Sequence, residues 1–396
     1  MNQTGNQTAP AGRSATDENE PKQLNDILNR LIEFDAGGLP VVSLYLNAQA
    51  NRHGRDQYDR FIRREFSARG KTFEPRTPAG ESFRRDAERI AKYLAEEVRP
   101  STNGIAIFAC AGKDEFFLPL QLDAPIERHQ LFVFTTPHLY PLARLMDEYR
   151  RYAVLVADTN RARIYVFGRG RTLAAEEVQS EMTNRTQVGG WSQMRYQRHV
   201  ENIHLHHAKD VVEALDRVVR EEAIENVIIA GDEVVIPLLR EQLTPALAKK
   251  TEDTMRLDIR TPEHEIMERT LETFRARDAV IDQERVEELK DAVRGTGLGV
   301  AGAADTLAAL LNGQVDELFL TAGMDEIEHE PDETSAVLKA YAPGAEGETP
   351  DSNRRRIVVD ELIRRAKETG ARIHFITDAS LLAAMGGVGA TLRYSM

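Results

Sequence analysis

A chain of 396 residues, 41% of them hydrophobic and 29% charged, can bury the cores of two or three domains. It contains no apolar run approaching the ~18 residues that a membrane helix needs. The net charge of −13 weighs against a general nucleic-acid coat protein but leaves room for a local RNA-facing patch, because counterion release depends on the face presented. The single cysteine, Cys110, excludes an intramolecular disulfide and a cysteine-based zinc site, and its apolar flanks make it a core thiol.

Residues 1–21 are rich in Asn, Gln, Thr and Glu and lack an apolar core, so they read as a disordered tail and not as a signal peptide. This suits a cytoplasmic protein. Residues 22–135 read as a first α/β domain. Helices are expected over Lys22–Ile32, Arg52–Arg69 and Glu81–Val98, and strands over Leu39–Leu46, Gly104–Ala109, Glu115–Leu120 and His129–Phe134. Residues 136–150 form a connection with a helix from Leu142 to Arg150.

Residues 151–262 form the second domain. Tyr152–Ala157 is a continuous apolar strand of the kind buried on both faces. Asp158-Thr159-Asn160 turns the chain into a hairpin partner, Arg163–Phe167, and a third strand follows near Ala174–Val178. A long helix over Gln193–Glu222, a strand at Val227–Gly231, a helix over Asp232–Leu243 and a strand at Thr254–Ile259 complete it. Antiparallel strands first, then alternating helix and strand, is the element order of a ribonuclease H-like sheet. Residues 263–294 are a polar connecting helix with Ile266, Leu271, Phe274, Val280 and Val286 expected to face inward. Residues 295–396 alternate strand and helix around an acidic insert (Asp325–Asp351), as a small α/β/α sandwich does. The fold class is therefore multidomain α/β.

Between the third strand and the long helix of the second domain lies Gly189-Gly190-Trp191-Ser192-Gln193. The two glycines can take positive φ and come close to a partner. Ser192 can cap the helix, whose first N–H groups favour anions such as phosphate. A Gly-rich turn with an ordinary N-cap explains the same residues. The balance around the loop is basic: Arg185, Arg195, Arg198 and Lys209 against Glu181, Glu201 and Asp210. Arg195 and Arg198 share a helix face. Trp191, the only tryptophan, can stack on a base, worth ~1–3 kcal/mol, or pack as a staple before the cap.

Three segments together carry a resemblance. They are the Tyr152–Phe167 strand pair with its Ala157–Arg163 turn, the glycine loop leading into Gln197, Arg198 and His199, and the ending Gly386-Gly387-Val388-Gly389-Ala390-Thr391-Leu392-Arg393-Tyr394. Over roughly 150–396 the chain resembles the Pelota and class 1 release factor superfamily, and within it the bacterial archaeo-eukaryotic release factor-like branch. The resemblance implies a ribonuclease H-like middle domain carrying a catalytic loop. It also implies a C-terminal domain that contacts an elongation-factor-like GTPase, and the ribosomal A site and tRNA acceptor end as partners. In release factors a Gly-Gly-Gln tip enters the peptidyl-transferase centre, where the amide helps position a water against the peptidyl-tRNA ester. On that basis Gly189, Gly190 and Gln193 are the catalytic candidates, and Trp191, Arg185, Arg195, Arg198 and His199 the RNA-binding ones. Here Trp191 and Ser192 separate the glycines from Gln193, displacing the amide by up to about 7 Å if extended.

Two other chemistries compete. Loss of hydrolysis would leave a non-catalytic ribosome binder acting in hibernation or quality control. Asp158 and Asp232 both end strands of one sheet and could hold Mg²⁺ in a nuclease, although a turn and an N-cap explain them more simply. His199, His204, His206 and His207 leave the helix in several directions, so no metal site is expected, and no cofactor. The Gly386–Gly389 run follows a helix and enters a strand, the reverse of a phosphate loop. It reads as tight backbone packing.

Overall fold

The computed structural model describes residues 20–49, 58–74, 76–100, 102–122, 124–148, 151–168, 171–179, 192–328 and 351–394. They belong to two compact units. One joins Met1–Ile27 with Arg151–Met267, and the other joins Leu28–Arg150 with Glu268–Met396.

The chain opens with α1 (Glu20–Glu33), β1 (Val41–Asn47), α2 (Tyr58–Gly70) and α3 (Pro78–Glu96). Then come β2 (Gly104–Cys110), β3 (Phe116–Leu122), β4 (Gln130–Phe134) and α4 (Tyr140–Glu148). The strands form an antiparallel sheet in the order β3-β2-β1-β4. Thr77 accepts from the Gly80 N–H at 3.1 Å and Pro78 opens the first turn, so α3 starts earlier than its apolar stripe suggests. Alternate strand residues Leu44, Leu46, Ile105 and Ile107 pack beneath Tyr58 and Ile62 of α2 and Phe83, Ile90 and Tyr93 of α3. Cys110 is fully buried, and that burial pushes its thiol pKa up.

The other unit holds a five-stranded sheet in the order β7-β6-β5-β8-β9. β5 (Tyr152–Ala157), β6 (Arg161–Gly168) and β7 (Arg171–Gln179) form an antiparallel meander. β8 (Asn226–Gly231) and β9 (Thr251–Arg256) run parallel to β5. This is the ribonuclease H-like arrangement expected from the element order. Its helices are α5 (Ser192–Glu221), α6 (Val235–Gln242) and α7 (Pro245–Lys250). A Cβ on Gly231 would meet the Ala157 carbonyl oxygen at 2.5 Å, so the two strand ends approach this closely only with glycine there. Sequence periodicity finds α6 but misses α7, and it sets the last strand too late. Thr244, whose hydroxyl accepts from the Leu247 N–H at 3.2 Å, and Pro245 at the first helical position create the additional helix.

α8 (Glu263–Asp291) runs on from this unit into the next. Ile266, Val286 and Leu289 are buried, but Val280 is 56% exposed, which corrects its inward assignment. Val280 stands six residues before Val286, about 120° away around the helix, so the two do not share a face. A π-helical turn, Ala292–Thr296, ends at Gly297 with φ +66°. β10 (Gly299–Ala301), α9 (Ala303–Leu311), β11 (Val315–Thr321), α10 (Asp351–Glu368), β12 (Arg372–Ile376) and β13 (Val388–Leu392) follow. The sheet order is β10-β13-β11-β12, with only β11 and β12 parallel. Val286, Leu289, Phe319, Ile376, Leu382 and Met385 form a core on the α8 side, and α9 packs against α10. Most of the acidic insert, 329–350, lies outside the described residues.

Within this second unit the N-terminal sheet and the C-terminal sandwich meet on a buried polar centre. Asp360 of α10 is 4% exposed. It accepts from the Leu139 N–H at 2.8 Å and the Tyr140 N–H at 3.0 Å, and pairs with His138 Nδ1 at 2.7 Å. The His138 N–H donates to Ser43 Oγ at 3.0 Å, and Tyr45 Oη donates to the His138 carbonyl at 2.6 Å. Arg364 donates to the Ile32 carbonyl, and Phe132 packs against Ile357. Covering β1 on this second face explains why nearly every residue of that strand is buried. It also explains why α4 begins at Tyr140 and not at Leu142: Asp360 accepts from N–H groups that a helix start leaves without intrahelical partners.

Candidate functional site

The Gly189-Gly190-Trp191 loop and Arg185 lie outside the described residues. The structure does describe the helix that follows them in the chain. α5 has 30 residues, and among its described side chains the core contacts begin at Ala208. Ala208, Val211, Val212, Leu215 and Val219 pack onto β5, β6 and β8. In the turn before, Asn202, Leu205 and His206 are exposed. With a rise of about 1.5 Å per residue, Ser192 lies roughly 22 Å along the axis from His207.

His207 is the first buried side chain of that anchored part, at 1% exposure. Its ring hydrogen-bonds the backbone at Arg161 and Asp158, in the turn between β5 and β6. Burial lowers its pKa, with those bonds and nearby carboxylates opposing. His207 is thus an anchor for α5. His206 Nδ1 is 2.8 Å from the Asn202 carbonyl, a local contact along the helix. Among the described residues no three His, Cys, Asp or Glu side chains converge as metal ligands. Arg217 of α5 also bonds Glu176 of β7, and Arg151 pairs with Glu222 at 2.5 Å.

The two strand-end aspartates have structural partners. Asp158 Oδ1 accepts from the Asn160 N–H at 2.7 Å and the Arg161 N–H at 2.8 Å, an Asx turn. Asp232 Oδ1 accepts from the Val234 and Val235 N–H groups at 2.9 and 2.8 Å and so starts α6. Arg161 is exposed, whereas Arg163 donates to the Ile259 carbonyl at 3.3 Å.

α5 begins at Ser192 itself, one residue before the expected start, and Ser192 is helical and not a flanking cap. Gln193 therefore stands in the first turn, and Arg195, Arg198 and His199 follow on the same helix. Only the backbone of 192–201 is described. The N–H groups of a first turn have no intrahelical acceptor and sit at the positive end of the helix dipole.

Residues 137–275 match the family model of bacterial archaeo-eukaryotic release factor family 10, and residues 279–396 match eRF1 domain 3. Over these two segments the chain belongs to the release-factor family. Peptide chain release factor subunit 1 of Thermococcus kodakarensis is 24% identical over 348 residues, 78% of this chain and 83% of that protein. Its counterpart from Aeropyrum pernix is 24% identical over 347 residues, 82% of this chain and 88% of that one. Among solved structures, the archaeal translation termination factor aRF1 is 17% identical, covering 94% of this chain and 98% of that one with a TM-score of 0.26. A structure of ribosome-bound archaeal Pelota and ABCE1 is 15% identical, covering 95% and 94%, with a TM-score of 0.41. The first match contains the whole of α5 and the Gly189-Gly190 sequence before it.

Sequence reasoning missed His207 as an anchor and Asp360 as a clamp. Each carried a signal. His207 opens the apolar stripe Ala208, Val211, Leu215. Asp360 interrupts the run Ile357-Val358-Val359 before Leu362-Ile363. A polar group set inside a buried face must find a partner there.

Proposed function

We propose that this protein is a ribosome-associated factor of the release and rescue kind. In this proposal it promotes hydrolysis of the peptidyl-tRNA ester on stalled ribosomes. What supports the reading is the sequence order: Gly189-Gly190 directly precede α5, Gln193 falls in its first turn, and all three lie inside the segment that matches the release-factor family model. Gly189 and Gly190 allow the backbone to approach the acceptor end. Gln193 positions a water, and the first-turn N–H groups stabilise charge developing on the ester oxygen. Trp191, Arg185, Arg195, Arg198 and His199 contact the surrounding RNA, the arginines through phosphates. Residues 279–396, matching eRF1 domain 3, supply the surface for an elongation-factor-like GTPase. No helix among the described residues is long and apolar enough to cross a membrane.

The two residues between Gly190 and Gln193 favour a second reading, a factor that occupies the ribosome without hydrolysis. Stalled ribosome–nascent-chain complexes carrying labelled peptidyl-tRNA separate the two. Hydrolysis predicts peptide release that falls at least 100-fold in Gln193→Ala while co-sedimentation persists, in line with the loss of one positioned group. Co-sedimentation without release selects the second reading. Absence of ribosome binding sinks both.

A further inference from the structure

Neither family match reaches the N-terminal domain, so its role must be read from its own surface. The two helices that cover its sheet treat their charges differently. On α3 the bases are answered locally. Arg84 pairs with Glu88 at 2.6 Å, Arg85 with Glu115, and Lys92 with Glu96 at 4.0 Å. Arg89 lies over the Phe117 ring and donates to the Glu115 carbonyl.

On α2 the balance is basic: Arg60, Arg63 and Arg64 stand against the exposed Asp59, one turn before Arg63, and the half-buried Glu65. Tyr58 and Ile62 are buried, and Arg60, Arg63 and Arg64 occupy the opposite face at i, i+3 and i+4, all exposed. Lys71, also exposed, follows the helix end. Arg64 bonds its neighbour Glu65 at 3.0 Å. Arg60, Arg63 and Lys71 have no carboxylate partner among the described residues. Like charges at these spacings repel one another, and Asp59 and Glu65 offset only part of that repulsion. The concentration is unexpected in a chain of net charge −13.

We infer that the exposed face of α2 binds RNA through its phosphate backbone, forming a contact separate from the α5 loop. Guanidinium groups present a planar fork that matches phosphate oxygens. The exposed part of α2 offers small and charged residues, Ser67 and Ala68 among them, and none of the large apolar groups that insertion into a lipid surface requires. The choice of RNA over other polyanions rests on the ribosome-binding reading above.

The test uses full-length protein, a single-stranded RNA oligonucleotide followed by anisotropy, and ribosomes followed by co-sedimentation, each across 50–200 mM salt. The variant is Arg60→Gln/Arg63→Gln/Arg64→Gln. The control, Arg84→Gln/Arg85→Gln/Arg89→Gln, removes the same charge from the same domain. The α2 variant is expected to lose about tenfold or more in RNA affinity, and its log-affinity against log-salt slope to shrink by about 2. The α3 control is expected to stay close to wild type. Equal losses in the two triple variants would mean that only net charge matters, and would overturn the inference. Ribosome binding by wild type with an unchanged slope in the α2 variant overturns it while leaving the proposed function standing. RNA binding that the α2 variant loses, in a protein that never binds ribosomes, does the reverse. Loss on ribosomes with no loss on RNA would assign the face to an acidic protein and overturn the RNA inference.

Discussion

Asp86 is a fully buried carboxylate in the N-terminal domain. Its Oδ1 accepts from the Ala111 N–H at 2.9 Å, and its Oδ2 has no hydrogen-bond partner. Burial raises its pKa from 3.8 to about 7, against smaller opposing effects from the Ala111 and Ser82 hydrogen bonds and from Arg85 and Arg89. The folded state therefore binds this proton more tightly than the unfolded state. The resulting stability is complete below about pH 4 and is lost as pH rises towards 7, at most roughly 4 kcal/mol. Denaturant melts at pH 5 and pH 7.5 should show that fall in the wild type and a much flatter response in Asp86→Asn, which keeps an acceptor for Ala111 but cannot ionise. An equal slope in both proteins would remove Asp86 as the cause. None of this was visible in the sequence, where Asp86 is one charge among many on a charged helix.

At the scale of elements, the Gly386–Gly389 run was correctly readable as a packing device. Gly387 has φ +77°, and a Cβ there would lie 2.9 Å from the Glu326 carbonyl oxygen and 3.0 Å from Thr321 Cγ2. Gly389 would push against Leu289 Cδ2 at 2.8 Å. Gly387→Ala combines an unfavourable φ with a backbone clash. It should cost about 1–3 kcal/mol, measured as a shift of the urea midpoint. A loss under ~0.5 kcal/mol would show that the turn rearranges freely. The strands β5 and β8 were equally legible, because continuous apolar runs bounded by Asp and Gly leave little choice. α7 was missed because a six-residue helix has too few positions to show a period. α5 was found by its stripe, Ala208, Val211, Leu215 and Val219, which packs in the core of its unit.

On the scale of the whole molecule, one unit is assembled from two distant stretches, 28–150 and 268–396, with Asp360 at their junction. Asp360→Ala leaves His138 and two buried N–H groups without their acceptor, a loss of roughly 3–5 kcal/mol. In calorimetry the two stretches should unfold together in the wild type and separate in Asp360→Ala. Asp360→Asn, which keeps an oxygen for the N–H groups, should fall between. A single transition with an unchanged midpoint in Asp360→Ala would show that the apolar contacts around Phe132 and Ile357 hold the junction without it. The same junction fixes the α2 face relative to the C-terminal sandwich inside one unit.

Sequence alone determined the α/β class, the ribonuclease H-like order of the middle domain, the buried Cys110 and the location of the glycine loop before a long helix. Each of these follows from local periodicity, turn chemistry or motif, which act over a few residues. Tertiary structure decided that Val280 is exposed and that His207 anchors α5 to the β5–β6 turn. It also decided that Asp360 joins stretches more than two hundred residues apart. A polar side chain takes its role from the partners that folding brings to it, and those partners come from any point in the chain.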